Sequence, residues 1–122
     1  MDNLKEKIQE FLNTKDFTDQ MDPADIEGNK LMGILAYLSW LVLIPFFVAK
    51  ESEFARFHVN QGLLLAVVEI IAVIIGLIPF VGPIIAWLVN ICCAILSIIG
   101  ILNVVNGKAK ELPIIGSYRL IK

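Results

Sequence analysis

The chain has 122 residues, of which 57% are hydrophobic and 18% charged, whereas soluble chains carry about 45–50% apolar and about 25% charged residues. Twelve of the 22 charged residues lie within residues 1–30, and Glu69 is the one charge between Leu63 and Asn106. This high hydrophobic content excludes a soluble globule and a disordered chain. With a net charge of −2 the chain has no basic surface for nucleic acid, which excludes a nucleic-acid-binding protein. The composition indicates a small multi-pass membrane protein.

The N-terminal segment, residues 1–28, is acidic and is expected to contain one amphipathic helix. Four apolar residues recur at helical spacing and share one face, namely Leu4, Ile8, Phe11 and Leu12. A helix of about three turns is marginal in water, so this one needs a surface: the bilayer interface, a partner protein or another copy. Asp22 followed by Pro23 is typical of a helix start and predicts a helical lead-in to the membrane domain.

A membrane domain over residues 29–107 follows, and the sequence predicts three spans in it. These spans are 31–49, 62–78 and 84–105. Each is close to the length of about 20 residues that a helix needs to cross a bilayer core about 30 Å thick. Pro45 is expected to bend the last turn of the first span. The tail, residues 108–122, is basic and interleaved with apolar residues. The expected fold is therefore all-α: an integral membrane bundle of three transmembrane helices with a short N-terminal amphipathic helix.

The distribution of Lys and Arg near the span ends predicts an orientation. Three spans would place the two chain ends on opposite sides of the membrane. The loop over residues 50–61 and the tail together carry six such residues, namely Lys50, Arg56, Lys108, Lys110, Arg119 and Lys122. The other side has Lys15 and Lys30 near a span. The loop and the tail are therefore expected inside, and the acidic N-terminus outside.

Polar residues in or beside the spans are the candidate functional or packing positions. They are Arg56, His58, Gln61, Glu69, Asn90, Ser97 and Asn103. Small and polar side chains form one predicted face of the third span: Ala86, Asn90, Cys93, Ser97, Gly100, Asn103 and Gly107. Such faces let helix backbones approach and hydrogen-bond in lipid. Folding the hairpin about Val81 pairs positions whose numbers sum to about 162. It places Glu69 opposite Cys93, and His58 beside Asn103 and Asn106.

Glu69 is the one ionisable residue expected inside a span. A carboxylate at the bilayer centre costs about 2.5–3.5 kcal/mol on insertion scales. The Glu69 carboxyl is therefore expected to be protonated, hydrogen-bonded across helices or in contact with water. His58 lies eleven residues earlier on the same helical face. Two interpretations stay open: a proton or cation path, or a carboxyl bonded to a neighbouring helix.

The sequence carries no recognisable catalytic set, cofactor motif or cluster of metal ligands, so no enzyme activity, cofactor or metal is expected. Cys92 and Cys93 are adjacent within an apolar run, where they are expected to act as packing residues. The expected partners are the lipid bilayer and a second copy or a larger membrane complex, with no nucleic acid.

Three stretches carry a resemblance to a known family: NKLMGILAYLSW (29–40), FARFHVNQG (54–62) and NGKAKELPIIGSYRLIK (106–122). In these stretches the chain resembles a bacterial family of small multi-pass membrane proteins of unknown function, which is similar to the Tic twenty component of chloroplast inner-envelope protein import. The most distinctive positions are Arg56, Phe57, His58, Gln61, Pro113 and Gly116. The resemblance implies a helical bundle in the bacterial inner membrane and assigns no activity. The chloroplast relative has four spans, whereas three are expected here.

Three functions are open at this point. The first is a structural or adaptor subunit that acts through helix–helix association, which the small-residue face and the N-terminal helix favour. The second is an oligomeric channel or transporter subunit with Glu69 and His58 lining a path. The third, a role in protein translocation or insertion, rests on the resemblance to Tic twenty alone.

Overall fold

A computed structural model describes residues 2–121, and this part of the chain is helical with no β-strand. The α-helices in chain order are α1 (Asp2–Leu12), α2 (Pro23–Gly28), α3 (Lys30–Leu35), α4 (Leu43–Val48), α5 (Glu53–Gly76) and α6 (Val81–Val105). Short 3-10 turns cover Thr18–Gln20 and Ser39–Val42. The predicted N-terminal helix is present as α1, and its apolar Leu4, Ile8 and Phe11 are all exposed.

Two helices, α5 and α6, are long and apolar enough to cross a membrane. Within their most apolar stretches, only 39% of the residues of α5 and 17% of those of α6 are buried inside the protein. The core helix of a soluble protein would be mostly buried, so the exposed apolar faces fit a lipid environment. Helix α5 begins before the predicted second span, because Ser52 caps it: the Ser52 Oγ accepts a hydrogen bond from the Ala55 N–H at 3.0 Å.

The first predicted span, 31–49, is not a continuous helix. Helix α3 ends at Leu35, and Ser39 then takes a left-handed backbone conformation with φ of 58°. Pro45 has no N–H to donate to the carbonyl of Leu41, so one hydrogen bond of a continuous helix is missing in this stretch. A 3-10 turn and the short α4 take its place. The prediction of three spans is therefore not supported, and two helices have the length to span a membrane.

The segment over residues 30–50 instead enters the bundle and returns to the end where it began, and we call it the re-entrant segment. Asn29, which precedes the segment, and Lys50, its last residue, line one cavity of about 440 Å³. Its turn at Ser39–Trp40 borders Glu69 on α5. Glu69 lies 16 residues past the start of α5, roughly 24 Å along the helix at 1.5 Å per residue. The turn therefore lies deep along α5.

The N-terminal segment and the tail lie at the same end of the bundle. Asp16 and Lys110 form an antiparallel bridge. The Phe17 N–H donates to the Ala109 carbonyl at 2.8 Å, and the Glu111 N–H donates to the Lys15 carbonyl at 3.0 Å. The expectation that the two chain ends lie on opposite sides is therefore wrong, because the first predicted span turns back. Lys122, which entered the orientation count, lies outside the described residues.

Two glycines allow the re-entrant segment to pack closely against α5 and α6. A Cβ added to Gly62 would lie 1.8 Å from the carbonyl oxygen of Ala36. A Cβ added to Gly100 would lie 2.2 Å from a ring carbon of Tyr37. No other residue type fits these positions without displacing the segment.

The predicted register of the α5–α6 hairpin is confirmed near the turn. A Cβ added to Gly76 would lie 3.5 Å from the Cβ of Ala86, and the numbers of this pair sum to 162. Beyond the re-entrant segment, the hairpin consists of two helices with exposed apolar residues that reach 91% exposure at Phe80. The buried polar and charged side chains lie at the other end of the protein, which we call the polar end: residues 13–30, 49–61 and 106–121.

Candidate functional site

His58 is the centre of a buried polar network at the polar end. Its Nε2 lies 2.9 Å from the carbonyl oxygen of Lys108, and its Nδ1 lies 2.6 Å from the hydroxyl of Tyr37. A carbonyl can only accept, so Nε2 carries a proton and donates it to Lys108. In the neutral ring Nδ1 then accepts from Tyr37. One imidazole thus joins the re-entrant segment, α5 and the tail.

Aromatic rings enclose the His58 imidazole. The rings of Tyr37, Phe54 and Phe57 contact it edge-on, with centroids 5.5, 4.8 and 5.3 Å from its own. The His58 side chain is fully buried. This surrounding removes the ring from solvent and leaves Tyr37 and Lys108 as its hydrogen-bond partners.

The expected register, which places His58 beside Asn103 and Asn106, brings it to the end of α6, where its hydrogen-bond partner is the backbone carbonyl of Lys108. Helix α6 ends at Val105, and Gly107 then turns the chain with a φ of 69°. This left-handed turn, which glycine adopts without strain, brings the carbonyl of Lys108 rather than an asparagine side chain to the imidazole.

Gln61 fixes the tail to α5 by its side-chain amide. Its Nε2 donates to the carbonyl of Gly116 at 3.0 Å, and its Oε1 accepts from the N–H of Leu112 at 2.8 Å. Gln61 is fully buried. A Cβ added to Gly116 would lie 2.7 Å from the Gln61 Oε1, so the tail needs a glycine at this position.

Asn60 makes the same kind of contact and was not among the predicted positions. Its Nδ2 donates to the Tyr118 carbonyl at 2.8 Å, and its Oδ1 accepts from the N–H of Leu120 at 2.6 Å. A signal existed in the sequence, because Asn60 and Gln61 are consecutive carboxamides at the start of an apolar helix. Each amide carries a donor and an acceptor, which suits an irregular backbone segment.

Two arginines lie beside this network, and together they border a cavity of about 380 Å³. Arg56 is partly buried in its wall. Arg119 pairs with Glu111 at 2.7 Å and lies over the rings of Phe17 and Phe57, 5.4 and 5.6 Å from their centroids. Arg119 therefore ties the tail to the N-terminal segment and α5, a role that the sequence did not reveal.

Asp16 is an acidic residue at the contact between the N-terminal segment and the tail, close to two lysines of the tail. Partial burial raises the pKa of its carboxyl, but hydrogen bonds from the hydroxyl and N–H of Thr18 and the charges of Lys108 and Lys110 outweigh burial. The pKa of Asp16 therefore lies below its usual value. This favours the charged carboxylate beside the two lysines.

Glu69 lies apart from the His58 network. It borders a cavity of about 280 Å³ with Ser39 and Trp40, within electrostatic range of Cys93. Within residues 2–121 no hydrogen bond or ion pair joins its carboxyl to another side chain, so the hydrogen bond across helices, one of the expected alternatives, is not formed. His58 does not border this cavity.

The packing face of α6 largely coincides with the predicted one: Cys93 and Gly100 are buried, Ala86 and Gly107 are half-buried, and Asn90 is the exception. Its buried residues are Gly82, Cys93, Leu96, Gly100 and Val104. Of the predicted polar positions, Ser97 and Asn103 are half-buried and Asn90 is exposed. Leu96 and Val104, which are neither small nor polar, are buried beside these positions. Among residues 2–121, no three His, Cys, Asp or Glu side chains are grouped as metal ligands.

Residues 28–121 match the model of the magnetosome magnetite crystal formation protein family, or MamF/MmsF family. The chain belongs to this family. The match covers the re-entrant segment, α5, α6 and the tail, which are the elements that the His58 network holds together. Helix α1 lies outside it. The matches place the chain among membrane proteins of the MamF/MmsF family and give no link to the chloroplast import component.

Three relatives illustrate the MamF/MmsF similarity. A UPF0132 membrane protein of Methanocaldococcus jannaschii is 33% identical over 87 residues, which are 69% of this chain and 62% of the relative. Magnetosome protein MmsF of Paramagnetospirillum magneticum is 32% identical over 85 residues, covering 70% of this chain and 79% of the relative. Magnetosome protein MamF of the same organism is 27% identical over 88 residues, covering 72% of this chain and 79% of the relative. The chain thus spans less than two thirds of the first relative. No solved structure matches it.

Proposed function

We propose that the protein is a structural or adaptor subunit of a membrane and that it acts through helix–helix association in lipid. The observation that carries this proposal is the contrast between the two ends of the molecule. At the polar end, His58, Asn60 and Gln61 bind the tail to α5 by six hydrogen bonds. Towards the α5–α6 turn, apolar side chains are left uncovered. A rigid end and an uncovered helix pair suit a subunit that associates within the bilayer.

In this proposal the chain is a multi-pass protein of the cell membrane that crosses it twice, with α5 and α6, while the re-entrant segment enters and leaves on one side. All ten Lys and Arg residues lie outside the stretch from Phe57 to Gly107. A two-crossing arrangement places every one of them on the side of the membrane where the polar end lies. The excess of positive charge on cytoplasmic segments then orients the polar end towards the cytoplasm, with both chain ends.

The names of the relatives support the membrane role. Two of them are named magnetosome proteins, and the family is described by magnetite crystal formation. The relative from Methanocaldococcus jannaschii is named only as a membrane protein. We therefore extend to this chain the membrane setting that the name of this last relative states, and not crystal formation.

A channel or transporter that uses Glu69 and His58 together has less support. Aromatic rings enclose His58, and the close contact of Gly62 with Ala36 lies between it and the Glu69 cavity along α5. The two side chains therefore do not line one path in a single copy.

The proposal is tested by extracting the protein from its membrane with a lipid-retaining copolymer and measuring the mass of the particles. We expect a discrete assembly that holds more than one protein chain. Separately tagged chains from two cultures, mixed after extraction, serve as the control and should not exchange. A single chain without a partner would contradict the proposal. So would a proton or cation flux in liposomes that Glu69→Gln abolishes while the chain stays folded.

A further inference from the structure

Asn90 is a polar side chain without a partner in the middle of an apolar helix. It is the tenth of the 25 residues of α6, and its side chain is exposed. No hydrogen bond joins it to another residue of the described chain. The bilayer core has no water to satisfy a carboxamide, so such a group is stabilised by a partner on another helix.

The residues around Asn90 form a second stripe on α6 that borders the packed side: its first four members are exposed, and Ser97 and Ile101 are half-buried. Two interleaved sets repeat every seven residues: Pro83, Asn90 and Ser97, and Trp87, Ala94 and Ile101. At about 100° per residue, this face is turned by roughly a quarter of the helix circumference from the buried Cys93, Leu96 and Gly100. The alternating steps of three and four residues are those of paired helices that wind around each other, with Asn90 at a d position of the repeat.

We propose that this face of α6, the Asn90 face, pairs with the same face of a second copy, so that the two Asn90 carboxamides hydrogen-bond to each other. This inference rests on the proposed function and identifies the partner in helix–helix association as a second copy of the chain. A carboxamide carries both a donor and an acceptor and so complements itself. Two copies with the same orientation hold Asn90 at the same depth, where a two-fold axis along the membrane normal brings the side chains together. The small Ala94 and Ser97 let the two backbones approach.

The native cysteines provide a matched test of this face. Cys92 is exposed and lies two residues from Ala94, about 200° around the helix, so the two positions face away from each other. One chain keeps Cys92 alone through Cys93→Ser. The other carries Ala94→Cys with Cys92→Ser and Cys93→Ser. Under mild oxidation in native membranes, we expect the cysteine at position 94 to form disulfide-linked dimers and Cys92 to remain monomeric.

The role of Asn90 itself is tested in the chain with the cysteine at position 94. We expect Asn90→Leu to lower the dimer association constant about three- to thirty-fold, the range that an interhelical hydrogen bond in lipid contributes. Asn106→Leu, which changes an exposed asparagine outside α6, should have no effect. Thermal unfolding of each variant checks that the chain still folds.

Four results would overturn the inference. Equal linkage at positions 92 and 94 would indicate random collision, and linkage at 94 that Asn90→Leu leaves unchanged would remove the hydrogen bond. An assembly of several chains with no linkage at position 94 would leave the proposed function standing and place the contact on another face. A monomer in the copolymer particles with no linkage would contradict both.

Discussion

Replacing Gly62 with alanine is expected to destabilise the protein by about 1–3 kcal/mol, the usual cost of forcing an extra carbon into a packed interior. The new Cβ would lie 1.8 Å from the carbonyl oxygen and 2.8 Å from the carbonyl carbon of Ala36. These are backbone atoms, so relief requires the re-entrant segment to move away from α5. Alanine is otherwise the better helix former by about 1 kcal/mol, so a loss of stability would arise from the contact itself.

Gly28→Ala is the matched control, because Gly28 is also helical and an added Cβ there would meet nothing within 4 Å. We expect this change to leave stability unaltered or to raise it by up to about 1 kcal/mol. The measurement is equilibrium unfolding of both variants in mixed micelles with increasing denaturing detergent. If Gly62→Ala were as stable as Gly28→Ala, the close packing of the re-entrant segment on α5 would be wrong.

Replacing His58 with leucine is expected to cost about 2–5 kcal/mol. Leucine fills much of the same apolar space among Phe54 and Phe57 but cannot hydrogen-bond. It leaves the Tyr37 hydroxyl and the Lys108 carbonyl buried without their partner, and each such group costs about 1–3 kcal/mol. The tail and the re-entrant segment should both loosen, because the imidazole contacts both.

A double-mutant cycle with Tyr37→Phe separates the two bonds. In the native background, this change leaves His58 Nδ1 without a partner and should destabilise the protein. In the His58→Leu background, it removes an unsatisfied hydroxyl and should be neutral or stabilising. Unfolding in mixed micelles measures all four chains. Additive effects of the two changes would show that Tyr37 and His58 are not coupled.

The two long helices could be predicted from the sequence, whereas the re-entrant segment could not. Lipid exposure leaves α5 and α6 apolar around most of their circumference, and this composition is visible in the residues. Residues 31–49 meet the same criteria of length and charge. What turns this segment back is its docking against Gly62 and Gly100, which depends on positions that are distant in sequence. Pro45 gave a local sign of a bend, but not of its direction.

Some residues of the candidate site could be predicted from the sequence, whereas their hydrogen-bond partners could not. His58 and Gln61 were singled out as polar groups at the entrance of a span, and both are fully buried in the network. Their partners are mainly backbone groups of the tail, which no pattern of side chains reveals. On α6, grouping residues by small size and polarity placed Asn90 on the packing face, whereas steric fit against α5 left it exposed.

The arrangement with two crossings and a re-entrant segment is tested most directly by the accessibility of single cysteines in a chain without Cys92 and Cys93. Asp19, Glu51 and Ser117 are exposed at the polar end, and Phe80 is exposed at the turn between α5 and α6. Each is changed to cysteine and treated with a membrane-impermeant thiol reagent in intact cells and in inverted membrane vesicles. We expect positions 19, 51 and 117 to be labelled only in inverted vesicles, and position 80 only in intact cells. Labelling of position 19 from the side opposite to position 117 would instead require an odd number of crossings and would contradict the re-entrant segment.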